Sequence, residues 1–216
     1  MTATIEERVD IEEPKVLERD HVVTVTRRRI DNILVWLGML AAAVLLVAGF
    51  LLNWGSNFAE DYVTDELSSQ NITFPPEDSL IGQGREDLAQ YGGMQVTTGE
   101  HAEAYASYIE GHVAGIADGM TYAEVPDRAA RAAVVTAIEE GAPADEVAEL
   151  QATADELTAQ RDSIFRGETL RGLLLNTYAW SVIGRIAGIA AVVAFFAAGV
   201  TFLLVAAGVV HLRRMH

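Results

Sequence analysis

The residues from Ile33 to Trp54 read ILVWLGMLAAAVLLVAGFLLNW, a stretch of 22 residues without a charge that decides the fold class. A helix rises about 1.5 Å per residue, so this stretch covers the roughly 30 Å hydrocarbon core of a bilayer. Trp36 and Trp54 lie near its two ends, where indole rings favour the membrane interface. No Ala-x-Ala cleavage site follows it. The pattern therefore predicts an uncleaved signal anchor spanning residues 33–54.

A second apolar stretch lies near the C-terminal end of the chain. Residues 186–212 read IAGIAAVVAFFAAGVTFLLVAAGVVHL, and their only ionisable residue, His211, is next to last. Tyr178 and Trp180 precede this stretch at the position of an interfacial anchor. We therefore predict a second transmembrane helix within residues 181–212.

Small residues in the second stretch predict close helix packing. Gly184 and Gly188 form the small-xxx-small pattern that lets two helices approach. The first stretch offers Ala41, Ala42 and Ala43 as a smooth partner surface. The same surface could instead pair two copies of the chain.

Arginines flank both apolar stretches on the sides that face away from the central segment. They are Arg27, Arg28, Arg29, Arg213 and Arg214. By the positive-inside rule, residues 1–32 and 213–216 are predicted to lie in the cytoplasm and residues 55–180 outside it. In a bacterium, the chain would be a multi-pass protein of the plasma (inner) membrane.

The charge of the chain resides in the central segment. Between Gly55 and Trp180 there are 23 acidic residues against 6 arginines, while the whole chain carries −16. Such a surface repels nucleic acid, so a nucleic-acid partner is not expected. It could attract a basic partner, although solubility beside a membrane is the commoner role of such charge. The chain has no cysteine, which excludes disulfides, iron–sulfur clusters and thiol chemistry.

The central segment is predicted to be mainly helical with one short extended piece. The first helix should continue outward past Phe58 and Tyr62. Asn71 to Pro76 reads as extended, because β-branched and aromatic residues precede two prolines. Residues 77–99 read as a loop with turn glycines.

Three further helices are predicted after that loop. Thr98 is the expected N-cap of a helix that runs to about Gly119. A second runs from Asp127 to about Glu140, and a third begins at Pro143 and is loosened by Gly167 and Gly172. The positions expected to face inward on the first two are Ala102, Ala106, Ile109, Val113, Ile116, Ala130, Val134, Ala137 and Ile138. The third carries a short heptad seam at Val147, Leu150, Ala154, Leu157 and Ile164.

One stripe of side chains in the central segment could bind a ligand. His101, Tyr105, Tyr108 and His112 share one face of the helix that Thr98 begins. The two histidines are eleven residues apart, or about 16 Å along a helix, too far to share one metal ion. We therefore expect no metal and no cofactor. Packing of this stripe against the extended segment at Phe74 is the favoured interpretation.

Several motifs give the chain a resemblance to known proteins. They are Ile72-Thr-Phe-Pro-Pro76, Tyr91-Gly-Gly, Val96-Thr-Thr-Gly99, Ala104-Tyr-Ala, Ile109-Glu-Gly-His112 and Gly119-Met-Thr-Tyr-Ala-Glu-Val125. With them, residues 30–212 resemble a group of two-span membrane proteins from actinobacteria. Some of that group carry the description aromatic ring-opening dioxygenase, an activity whose iron site uses histidines and a carboxylate. His101 and His112 are badly spaced for it, so the resemblance implies topology alone.

Three classes of function are consistent with this pattern. The preferred one is a non-enzymatic membrane scaffold or accessory subunit of a cell-envelope complex, in contact with the lipid bilayer and with a membrane protein or a second copy of itself. The second is a transmembrane sensor with an extracytoplasmic ligand-binding domain. The third is an envelope enzyme that uses His101 and His112. A transporter is disfavoured, because two spans form no pore alone and neither carries a charge at its midplane.

Overall fold

The computed structural model describes the backbone of residues 17–214 and the side chains of residues 29–214. The side chains of Arg27 and Arg28, and residues 1–16 and 215–216 of the predicted tails, lie outside the described residues. The described chain is 84% helical, which confirms a mainly α fold. Its helices are α1 (Leu17–Ser69), α2 (Glu77–Gly82), α3 (Gly99–Ala114), α4 (Asp127–Glu139) and α5 (Ala144–Arg214).

The two longest helices carry the apolar stretches. Helix α1 has 53 residues and α5 has 71. Each contains a window of mean hydropathy 2.6, of which only 11% is buried. Both are long and apolar enough to cross a membrane, and their apolar side chains are exposed in the protein, as Trp36 is at 71%. Helices of this kind are what a multi-pass membrane protein requires.

Helix α1 ends where the extended segment was predicted. Asn71 has a left-handed backbone with φ of 51°, which turns the chain out of the helix. Thr73 then pairs with Gln95 in an antiparallel bridge. The Phe74 N–H donates to the Met94 carbonyl at 2.9 Å, and the Val96 N–H donates to the Ile72 carbonyl at 2.8 Å.

The prediction of a loop over residues 77–99 was wrong for residues 77–82 and 86–91, while Gly84 and Gly93 lie in turns with φ of 72°. Helix α2 begins directly after Pro76, with Glu77 and Asp78 in its first turn, and a 3₁₀ turn covers Glu86–Tyr91. Acidic residues in a first turn favour a helix start. Leu80 and Leu88 hold these short elements because both side chains are buried in the core.

Helix α3 begins as predicted but ends earlier. The Thr98 hydroxyl accepts a hydrogen bond from the His101 N–H at 3.2 Å, which confirms the N-cap. The helix stops at Ala114 instead of reaching Gly119. Ala117 and Asp118 adopt φ of 49° and 54°, and a right-handed helix cannot continue through these values.

Helix α4 buries a narrower face than expected. Val134 and Ala137 are buried, and Gly141 ends the helix with φ of 73°. Ile138 was predicted to face inward but is 60% exposed. It lies next to Ala137 along the chain, so its side chain points about 100° away from the buried face.

The prediction that Gly167 and Gly172 loosen the last helix was wrong. Helix α5 runs through both without interruption. A Cβ at Gly167 would lie 2.4 Å from Cγ2 of Val113. Gly167 therefore lets α3 pack closely on α5, while nothing lies within 4 Å of a Cβ at Gly172.

The chain divides into two compact units. The central unit is Leu52–Ala190, and the terminal unit combines Met1–Leu51 with Ala191–His216. The core of the central unit gathers apolar residues from both long helices and from the segments between them. Its largest members are Val63, Leu67, Phe74, Leu80, Leu88, Val96, Ile109, Val113, Val125, Ile164 and Leu174.

The terminal unit is held by a seam of mostly small residues. Along α1 the less exposed positions recur every three or four residues, as in a coiled coil: Asp31, Val35, Gly38, Ala42, Leu45 and the adjacent pair Ala48 and Gly49. Ala191 and Ala198 are buried on α5. A Cβ at Gly38 would lie 2.6 Å from Cγ2 of Val205, and one at Gly49 would lie 2.8 Å from the ring of Phe195.

We predict that Gly167→Ala destabilises the protein by about 1–3 kcal/mol, because the new methyl group overlaps Val113. The matched control is Gly172→Ala on the same helix, where the space is open. It should stabilise the helix by about 0.5–1 kcal/mol. Thermal unfolding of the full chain in mild detergent, followed by circular dichroism, checks both. Equal midpoints for the two variants would contradict the close packing of α3 on α5.

Candidate functional site

The stripe on α3 forms a ladder of aromatic rings. The Phe74 ring meets Tyr105 edge-on at 5.1 Å between centroids. Tyr105 lies 5.5 Å from Tyr108, and Tyr108 lies 4.5 Å from His112. This confirms the expected packing of the stripe on the extended segment. The ladder therefore joins α3 to the segment that follows α1.

Tyr91 extends this ladder beyond the predicted stripe. Its ring stacks on Phe74 at 5.3 Å and meets His101 edge-on at 5.7 Å. Its hydroxyl donates to a carboxylate oxygen of Glu100 at 3.0 Å. The contact of Tyr91 with the ladder was not predicted, because Tyr91 lies in a 3₁₀ turn that the sequence did not indicate.

The chemistry open to this ladder is limited. Burial raises the pKa of Tyr105 above its usual range, and burial together with Glu100 does the same for Tyr91, so both phenols stay protonated. The His112 ring is exposed, with Nδ1 3.3 Å from the Tyr108 carbonyl. In the part of the chain that the structure describes, no group of three or more His, Asp or Glu side chains is arranged so that it could hold a metal ion. His101 and His112 are not brought to a common site.

Arg85 anchors the turn beside the ladder. Its guanidinium donates to the Ser107 carbonyl at 2.8 Å and to the Ser107 hydroxyl at 2.9 Å. It also pairs with Asp87 through two hydrogen bonds, which lower the pKa of Asp87 and raise that of Arg85. Arg85 and Ser107 are 22 residues apart in the chain, so a local sequence pattern could not predict their contact.

Asp127 is the one buried charged side chain among the described residues, and its burial was not predicted from the sequence. Its carboxylate is 1% exposed and pairs with Arg131 one turn later and with Arg161 of α5 at 3.1 Å. Arg161 also donates to the Tyr122 carbonyl and stacks over the Tyr122 ring at 4.2 Å. The Asp127–Arg131 spacing of four residues signals an ion pair in the sequence. The sequence does not reveal the partner on α5.

A polar cleft of about 380 Å³ lies between the 115–120 turn and α5. Asp118 and Glu156 face it, together with Thr153 and Gln160. The left-handed backbone of Ala117 and Asp118 forms one wall. Strained residues of this kind collect at ligand sites as well as in tight turns.

The residues predicted to pack helices and set topology are placed as follows. Gly184 is buried, and a Cβ there would lie 2.9 Å from Cβ of Ala59. A Cβ at Gly188 would lie 2.8 Å from Oγ of Ser56. Both glycines therefore face α1 within the central unit. The arginines whose side chains are described, Arg29, Arg213 and Arg214, are exposed.

Known proteins supply no further guide to the site. No family model matches the chain, and no curated protein and no solved structure matches it either. The resemblance to actinobacterial two-span proteins remains a prediction.

We predict that Phe74→Ala lowers the free energy of unfolding by about 3–5 kcal/mol, because Phe74 is 2% exposed and contacts two tyrosine rings. His112→Ala, at the exposed end of the ladder, should change it by no more than about 0.5 kcal/mol. Chemical denaturation of both variants checks this. A large loss for His112→Ala would show that the exposed ring has a structural role.

We expect acid to lower the stability of the folded protein by protonating Asp127. Burial acts to raise the pKa of this carboxyl group, but the hydrogen bond from Arg131 and the charge of Arg161 outweigh burial and leave the pKa lowered. A lowered pKa in the folded state stabilises the fold above the unfolded value of about 4, and this stabilisation is lost as the pH falls below it.

We therefore predict that wild-type stability falls as the pH drops below about 4, and that Asp127→Asn is less stable at pH 7 and loses part of this acid dependence. Asp162→Asn, an exposed carboxylate next to Arg161 in sequence, is the control and should keep the wild-type profile. Unfolding midpoints measured from pH 7 to pH 3 check this. Identical profiles for Asp127→Asn and the wild type would contradict the ion pair.

Proposed function

We propose that the protein is a non-enzymatic membrane scaffold or accessory subunit of a cell-envelope complex. The observation that carries this proposal is the construction of the central unit. Val63 and Leu67 of α1 share one core with Ile164 and Leu174 of α5. The two helices that contain the apolar stretches therefore also build the domain between them. A domain held by two helices in this way is suited to presenting a fixed surface to a partner.

The aromatic ladder supports a structural role. The stripe that could have bound a ligand packs against Phe74 and Tyr91 and fastens α3 to the extended segment. Tyr91, Tyr105 and Tyr108 pack against the core of the central unit. This argues against the envelope enzyme that would use His101 and His112.

We further propose that residues 55–180 lie outside the cytoplasm and that both tails lie within it. The arginines that flank the apolar stretches support this orientation through the positive-inside rule, and exposed aromatic side chains at the start of the central unit mark a membrane interface. Trp54, Phe58 and Tyr62 stack along α1 at 5.8 and 6.3 Å, and Tyr62 meets Trp180 of α5 at 6.5 Å. Exposed rings of this kind suit the interfacial layer of a bilayer.

Single cysteines test the topology, because the natural chain has none. Ser69→Cys is exposed at the end of α1 and should react with a membrane-impermeant maleimide in intact cells. Thr4→Cys in the N-terminal tail should react only after the membrane is opened. The reverse pattern would overturn the proposed orientation.

A pull-down tests the scaffold role. Tagged full-length protein is captured from membranes in mild detergent, and bound proteins and metals are measured in the same sample. A stoichiometric membrane-protein partner is the expected result. A clean, metal-free assembly of the chain alone would overturn the accessory role and favour a self-contained sensor.

The polar cleft at Asp118 and Glu156 favours the sensor as the second candidate. A sensor should bind a small molecule or ion there, and the binding should raise the unfolding temperature. Glu156→Gln should then remove the shift produced by whichever compound or ion gives one. If a panel of metal ions and small cationic metabolites produces no shift in the wild type, the sensor candidate is contradicted.

A further inference from the structure

The first turn of α3 is packed against two other parts of the central unit. Gly99 is buried, and a Cβ on it would overlap the side chain of Ser181 on α5. The Glu100 carboxylate accepts a hydrogen bond from the Tyr91 hydroxyl at 3.0 Å. This turn therefore connects α5 to the 3₁₀ turn that contains Tyr91. None of the functions proposed above uses this connection.

His101 closes this turn through a contact that depends on the protonation of its ring. Its backbone N–H donates to the Thr98 hydroxyl at 3.2 Å, while the Thr97 N–H donates to its ring Nδ1 at 3.4 Å. A backbone N–H can only donate, so Nδ1 accepts here only while the ring is neutral and carries its hydrogen on Nε2. A protonated ring has a hydrogen on both nitrogens. The hydrogen bond from Thr97 is then lost, and two donors face each other.

His112, near the other end of α3, has the opposite arrangement. Its Nδ1 lies 3.3 Å from the Tyr108 carbonyl, which can only accept a hydrogen bond. Nδ1 therefore donates in this contact, and it still donates after the ring is protonated. The helix dipole strengthens the contrast, because positive charge is unfavourable in the first turn, where His101 lies, and favourable in the last, where His112 lies.

The charged and titratable groups around His101 are few. No ion pair among the described residues includes it. The Tyr91 phenol meets its ring edge-on from the 3₁₀ turn, and Tyr178 of α5 lies beside the same turn of α3. Glu100 attracts positive charge, but its carboxylate is hydrogen-bonded to Tyr91, and Glu103 points about 200° around the helix from His101. The lost hydrogen bond and the helix dipole both oppose a charged ring.

We propose that His101 is a proton-sensitive contact that releases the first turn of α3 from Thr97 and loosens it from α5 in mild acid. An open form, in which the ring is free, takes up a proton more readily than the closed form. The closed form therefore loses stability as the pH falls through about 6.5, where a histidine ordinarily becomes charged. In the proposed topology, on which this use depends, the contact responds to the pH outside the cytoplasm.

Hydrogen–deuterium exchange of the full chain in mild detergent tests the proposal, with the intrinsic exchange rates corrected for pH. Between pH 7.5 and pH 5.5, the amides of residues 97–102 should come to exchange about threefold to tenfold faster, as expected for the loss of one hydrogen bond. The amides of residues 109–114, around His112, should not become faster. The two ends of one helix thus provide an internal comparison.

His101→Asn is the decisive variant, because its side-chain oxygen can still accept from Thr97 but takes up no proton. Its exchange over residues 97–102 should be the same at both pH values. His112→Asn is the matched control on the same helix and should keep the wild-type response to acid. Circular dichroism at pH 7.5 checks that both variants fold, and His101→Gln replaces His101→Asn if the latter does not.

Equal exchange of residues 97–102 at the two pH values in the wild type would overturn the proposal. So would an unchanged acid response in His101→Asn. An equal acceleration in α4 would also overturn it, because the acid would then unfold the whole central unit and not one turn. The measurement needs no partner protein, so its outcome is separate from that of the pull-down.

Discussion

The close approach of α1 and α5 is the constraint on which the structure depends. In the terminal unit, Gly38 and Gly49 leave room for Val205 and Phe195, and in the central unit Gly184 leaves room for Ala59. Between helices surrounded by hydrocarbon, association relies on direct van der Waals contact, because lipid tails are as apolar as the side chains. Small residues provide that contact by bringing the backbones together.

The central unit obtains its core from segments that are far apart in the chain. The two long helices supply two sides of it, and the residues between them supply the rest. Phe74 shows how the short extended segment contributes, since its ring lies between Tyr91 and Tyr105. The extended segment that follows α1 is thereby tied to α3. The acidic surface surrounds this core and leaves one buried carboxylate, Asp127, matched by two arginines.

Much of the fold could be predicted from local patterns. The two apolar stretches, the Thr98 cap and the break after α1 depend on composition and on neighbouring residues, so the sequence shows them directly. The short helix α2 and the following 3₁₀ turn were missed because burial of Leu80 and Leu88 stabilises them, and burial is a tertiary effect. The stripe on α3 was identified, and its packing on Phe74 was predicted. Its contact with Tyr91 was not.

By itself, the sequence determined that this protein has two long apolar helices around an acidic, mainly helical segment, because hydropathy and helix periodicity are carried by consecutive residues. Only the tertiary structure decided what the glycines of the long helices do. Gly167 was expected to loosen α5, yet α5 is unbroken there. The missing side chain of Gly167 instead leaves room for Val113 of α3. Likewise, Asp127 reads as a helix start and became a buried ion pair with Arg161, 34 residues away. The structural role of a glycine or a carboxylate depends on the residues that surround it in the folded protein. Those neighbours are distant in the chain, so a local sequence pattern does not identify them.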